Sequence, residues 1–146
     1  MKIIVLLILV ILSVVIYFYC SQIRKEVLIP VKEILITVDL AEIDKPLYIK
    51  AKNWGITGNH EEIVLSFSSV NITNKERDYI FYTNEVYYKT DKKQTITVYA
   101  PESLISEPQN KPLNVKVILV GLKNSNEIKD YSLNYKKYGL EKVTFK

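Results

Sequence analysis

Residues 86–100 read VYYKTDKKQTITVYA, and this stretch decides the fold class. Two arms rich in β-branched and aromatic residues, Val86–Thr90 and Gln94–Ala100, flank the polar turn Asp91-Lys92-Lys93. That arrangement predicts a β-hairpin, because such side chains suit a pleated, half-buried surface. Adjacent Tyr87 and Tyr88 project to opposite faces of a strand, so at least one of them is expected to face outward. Tyrosine combines apolar area with a polar tip, which marks both residues as candidates for contact with a partner.

Working outward, the same period of two recurs. Ile34, Ile36, Val38 and Leu40 alternate with Leu35, Thr37 and Asp39, and Leu47, Ile49 and Ala51 follow the Asp44-Lys45-Pro46 turn. Ile63, Leu65 and Phe67 and then Tyr79–Thr83 continue the series. Downstream, Pro101 to Pro112 separates the hairpin from Leu113–Leu122, which is apolar enough to be a central strand. The period then lengthens. Ile128, Tyr131, Tyr135 and Tyr138 fall at helical spacing, with Ser125 or Asn126 to cap the start and Gly139 to cap the end. Val143 and Phe145 predict a closing strand. Short strands at intervals of about 8–12 residues predict a mainly β fold, an antiparallel β-sandwich of immunoglobulin-like kind with one late helix. An α+β arrangement is the alternative.

The other decisive stretch is residues 3–20, IIVLLILVILSVVIYFYC. At 1.5 Å per residue it makes a helix of roughly 27 Å, close to a hydrocarbon core of about 30 Å. Tyr17 and Tyr19 suit the headgroup level, and Arg24 and Lys25 follow the run. A transmembrane anchor is the expectation. A cleaved signal wants small residues at its exit, where this chain has VIYFYCSQ over 15–22. Lipidation of Cys20 is the further alternative, although the bulky Tyr19 precedes it. The expected organisation is an anchor or signal over 1–22, a linker over 23–32 and a β domain over 33–146. A very short leader before the apolar run favours an extracytoplasmic domain, periplasmic or at the cell surface, on a single-pass chain.

The net charge of +4 is spread among acids, as in Arg24-Lys25-Glu26, rather than gathered into a basic stripe, so no nucleic-acid partner is expected. One cysteine excludes an intramolecular disulfide. His60 is the only histidine, so no metal site and no cofactor is expected from His60-Glu61-Glu62. A serine or cysteine nucleophile would need that single base beside it, and no nucleophile elbow is present. The stretch Asn53–Asn59, NWGITGN, carries the only tryptophan and two glycines within four residues, and His60 follows it. Trp54 and His60 are therefore candidates for partner binding, while Gly55 and Gly58 do not form a phosphate loop.

That stretch, with the Glu-Ile-Val-Leu-Ser that continues it and Asp78-Tyr79-Ile80-Phe81, resembles small N-terminally anchored envelope proteins of Bacteroidetes-type bacteria, over roughly a third of the chain. The resemblance implies an envelope location and no particular activity. The expected function is a non-catalytic, membrane-tethered binding or structural module with a protein partner in the envelope. Two alternatives stand beside it: an envelope hydrolase or carbohydrate-active domain using His60, Glu61 and Glu62, and an accessory or immunity-type subunit of a membrane complex.

Overall fold

The computed structural model describes residues 12–15, 17, 32–40, 46–54, 60–70, 72–91, 94–111 and 115–145. The chain divides into two compact units, Met1–Pro30 and Val31–Lys146. Of the first unit, residues 12–15 and Tyr17 are helical and exposed. Among the described residues no helix is long and apolar enough to cross a membrane, and most of the apolar run 3–20, Cys20 included, lies outside them.

The second unit is mainly β, with two sheets and one short helix. Its strands are β1 (Lys32–Val38), β2 (Leu47–Trp54), β3 (His60–Ser66), β4 (Tyr79–Phe81), β5 (Glu85–Thr90), β6 (Thr95–Pro101), β7 (Ile105–Ser106), β8 (Lys116–Leu122) and β9 (Glu141–Thr144). The first sheet is antiparallel throughout, in the order β1-β2-β3-β4-β7. The second has the order β8-β6-β5-β9. A 3-10 turn, Glu102–Leu104, carries the chain from β6 to β7, and so from the second sheet into the first.

Alternation places the core. Ile49, Ala51, Ile63, Leu65 and Phe81 of the first sheet and Val86, Tyr88, Ile96 and Val98 of the second belong to one buried cluster. Burying a large apolar side chain in this way stabilises the fold by about 1.5–3 kcal/mol each. A smaller cluster lies on the far side of the second sheet, where Ile128, Tyr131 and Tyr135 pack on Tyr87, Leu122 and Leu140. Helix α1 (Ser125–Asn134) supplies two of those contacts.

The β5–β6 hairpin forms as expected, with Tyr88 opposite Val98 and Thr90 opposite Ile96. Asp91 locks its turn by accepting the Thr95 N–H at 3.0 Å, and Gln94 takes the left-handed conformation at φ 56°. Three expectations need correcting. The apolar segment expected as a central strand gives β8, which ends its sheet and runs parallel to β6. Val117 and Leu119 pack on the main cluster and Leu122 on the smaller one, while Ile118 on the second face is 37% exposed, so that face is covered only at its end. The helix cap is Asn124, one residue before those expected. Its Oδ1 accepts the N–H groups of Asn126 at 3.1 Å and Glu127 at 3.0 Å, while Glu127 accepts the Lys123 N–H at 2.7 Å. Finally, neither Tyr87 nor Tyr88 faces outward, because both faces of β5 are covered: they are 2% and 5% exposed.

Gly139 stands at the helix exit as expected, at φ 67°. The Leu140 N–H donates to the Tyr135 carbonyl and the Gly139 N–H to the Lys136 carbonyl, at 2.9 and 3.0 Å. This is the paired bonding of a Schellman cap, and buried Leu140 and Tyr135 share a cluster as that cap prefers.

Candidate functional site

The face of the first sheet turned away from the main core carries the candidate site. Parity assigns its residues. Ile49 and Ala51 of β2 point into the core, so Lys50, Lys52 and Trp54 point outward, and in β3 His60, Glu62, Val64 and Ser66 share that side. Lys50, Val64 and Ile80 are nonetheless buried, and none of them belongs to the main cluster.

The segment between β3 and β4 reaches Lys50 on this face. The Lys50 ammonium donates to the Val70 carbonyl at 2.9 Å, and the Thr73 hydroxyl donates to Glu62 Oε1 at 2.7 Å. Farther along, the Asp78 carboxylate accepts the Asn74 N–H at 2.8 Å, and the Asn110 N–H donates to the Glu76 carbonyl at 2.9 Å. The segment is thus tied to the sheet at Lys50 and Glu62, to itself at Asp78, and to Asn110 beyond β7. Lys50 is 2% exposed, and burial pushes its ammonium below the ordinary lysine value, an effect that the Asp78 carboxylate opposes.

Beside this segment lies a cleft of about 620 Å³, lined by Phe67, Val70, Ile72, Asn74, Arg77, Asp78 and Asn110 together with Ser66 and Ser68. Val70 and Ile72 are 57% and 75% exposed, so large apolar side chains stand in water at its rim. No described residue forms an ion pair with the Arg77 guanidinium. A smaller recess of about 350 Å³, lined by Glu33, Leu35, Lys50 and Ser69, opens on the same sheet.

The structure brings two of the expected site residues together. Trp54 and His60 face each other across the β2–β3 register and stack with ring centroids 5.9 Å apart and planes 20° apart. One pair farther along the strands, Lys52 faces Glu62, which holds Thr73, the neighbour of Ile72. The stacked pair and the cleft-bearing segment therefore share one face. Residues 55–59 of the NWGITGN stretch lie outside the described residues. No comparison, with family models, curated proteins or solved structures, finds a match.

Glu61 and Glu62 diverge. Glu61 accepts from Asn53 Nδ2 at 3.1 Å on the inner side, while Glu62 holds Thr73 on the outer side. Among the described residues no group of His, Cys, Asp and Glu is placed to hold a metal ion. Tyr87 and Tyr88 lie apart from Trp54 and His60, on the second sheet. The Tyr87 hydroxyl donates to Glu85, which pairs with Lys142, beneath the rings of Tyr131 and Tyr135. The Tyr88 hydroxyl donates to Glu141 at 2.5 Å. Both phenols are held well above their ordinary titration, by burial first and by the carboxylate partner second.

Sequence reasoning missed Lys50, Val70, Ile72 and Arg77. Val70 and Ile72 alternate with polar neighbours in SSVNITN, which is the one signal that this connection carries apolar groups of its own. Nothing local marks Lys50, since a lysine between Ile49 and Ala51 reads as a solvated outer face.

Proposed function

We propose that this chain is a non-catalytic binding module of a bacterial envelope, a β-sandwich of immunoglobulin-like kind tethered to the membrane through residues 3–20 on its extracytoplasmic side. Its protein partner engages the outer face of the first sheet. The observation that carries this reading is the exposure of Val70 and Ile72 at the rim of the cleft, on the face that also bears the Trp54–His60 stack. Concave, largely apolar surfaces with a few polar groups are the usual setting for a ligand. Here Arg77 supplies the charge, so the fitting partner presents an apolar side chain beside a carboxylate. Two sheets feeding one buried cluster support the sandwich, and the unbroken apolar run supports the tether. The divergence of Glu61 and Glu62 favours binding over acid–base hydrolysis, which needs its carboxylates to converge on one bond.

A photo-crosslinking side chain at position 72 of the full chain, in intact cells, tests the surface. One adduct is expected, and it is lost in Arg77→Glu and reduced in Trp54→Ala. The same adduct pattern from Ser103, far along the chain on the 3-10 turn, overturns the assignment. The tether is read separately, by a topology reporter placed after residue 146 and by the intact mass of the mature chain. An unprocessed mass with an extracytoplasmic reporter is expected; trimming before residue 23, or a lipid on Cys20, overturns the spanning anchor.

A further inference from the structure

Four strands end the two sheets, and two of them are short. β7 has two residues and β9 has four. β8 has seven residues, but its Gly121 leaves a gap in the strand's side-chain rows where an added Cβ would lie 2.8 Å from that of Glu102. β1 differs. It is seven residues long, contains no proline, and pairs only with β2 among the described residues. Its central residue, Leu35, is 54% exposed, and Ile34 and Ile36 are only half-buried against the main core. Folded proteins ordinarily blunt a sheet edge of this length with proline, a bulge, central charge or a covering segment.

We infer that β1 is a self-association edge, at which two copies of the chain pair antiparallel about a twofold axis at Leu35 and continue the first sheet from one copy into the other. The occupant follows from the strand's own pattern. Ile34, Ile36 and Val38 oppose Ala51, Ile49 and Leu47 and face the core, so Glu33, Leu35 and Thr37 face outward. A slip of one residue would set inner positions against outer ones, which leaves only registers centred on a residue. Centring on Leu35 sets Leu35 against its counterpart, Ile34 against Ile36 and Glu33 against Thr37. Across the middle of the strand apolar groups then meet apolar groups, Lys32 meets Val38 at each end, and no like charges face each other. Centring on Ile36 would set Glu33 against Asp39, and centring on Ile34 would set Glu33 against Leu35. Of the three, the Leu35 register pairs the whole strand with the fewest charged groups set against apolar or like-charged ones, which is the self-complementarity that a twofold contact favours.

Edge pairing alone buries less than the roughly 1,200–2,000 Å² of a standard interface. The tether offsets this. Residues 21–31 lead from the apolar run into β1, and eleven residues reach at most about 36–40 Å. Two copies anchored in one bilayer would meet at high effective concentration. This last support rests on the anchored reading; the register does not.

Full-length chain carrying Cys20→Ser and Leu35→Cys, oxidised in its own membranes, is the test. A disulfide-linked dimer is expected, with none from Glu33→Cys or Thr37→Cys alone and a linked pair when those two variants are co-expressed. In detergent, Leu35→Lys is expected to halve the mass measured by light scattering while the far-ultraviolet dichroism is unchanged. A Leu35→Cys chain that stays monomeric, that links to a foreign protein, or that links internally to a cysteine placed at Val27 overturns the inference. Recovery of the chain from the soluble fraction would instead sink the tether, and the cross-link would still report on β1.

Discussion

Lys50 shows how a single residue departs from the role that its neighbours suggest. It sits between Ile49 and Ala51, where alternation predicts a solvated ammonium, yet it is buried and donates a hydrogen bond to the Val70 carbonyl of the connection after β3. Desolvation lowers its folded-state titration below that of the unfolded chain. The unfolded state therefore binds the extra proton between those two values, and stability rises with pH across that window, up to about 10.5. Lys50→Met removes the term. The stability of the native chain relative to Lys50→Met, from urea unfolding of both, is expected to climb as pH increases from neutral toward 10; a constant difference contradicts a desolvated lysine. The same contact explains why the candidate site was not legible: it is made with a connection lying far along the chain.

Among the elements, those specified by local chemistry were legible and those specified by partners were not. The β5–β6 hairpin follows from two β-forming arms around a polar turn, and α1 follows from the spacing of Ile128, Tyr131 and Tyr135. The parallel attachment of β8 has no local signature, because a run of apolar residues is silent about strand direction. The same lesson applies to Tyr87 and Tyr88, whose outward expectation assumed one bare face. Helix α1 owes its start to Asn124, which satisfies two otherwise orphaned N–H groups. Asn124→Ala is expected to cost about 1 kcal/mol, and Asn124→Asp to keep most of it, in chemical denaturation. Because α1 covers Tyr87 and Leu122, tyrosine fluorescence should change with the same midpoint as the far-ultraviolet signal.

The β domain as a whole is bound together through β5. Tyr88 lies in the main cluster and Tyr87 in the smaller one, so a single strand presents a phenol to each. Burial, with Glu85 and Glu141 as acceptors, raises both above the unfolded value of about 10. A group whose titration is raised on folding stabilises the native state below its unfolded value, and that contribution is lost as pH climbs above it. Alkaline unfolding is therefore expected to begin above pH ~10 as one cooperative event, and the Tyr87→Phe, Tyr88→Phe double variant to resist higher pH at some cost at neutrality. Two separate alkaline transitions, one for each cluster, would contradict the linkage. The route of the chain between β6 and β8 has a kinetic meaning as well. After β6 the chain leaves the second sheet, contributes β7 to the first, and only then returns to lie along β6. Each sheet thus gains strands on both sides of an excursion into the other, and refolding is expected to be slow and single-phase, as non-local pairing of this kind makes it; a separate fast phase for one sheet would contradict this.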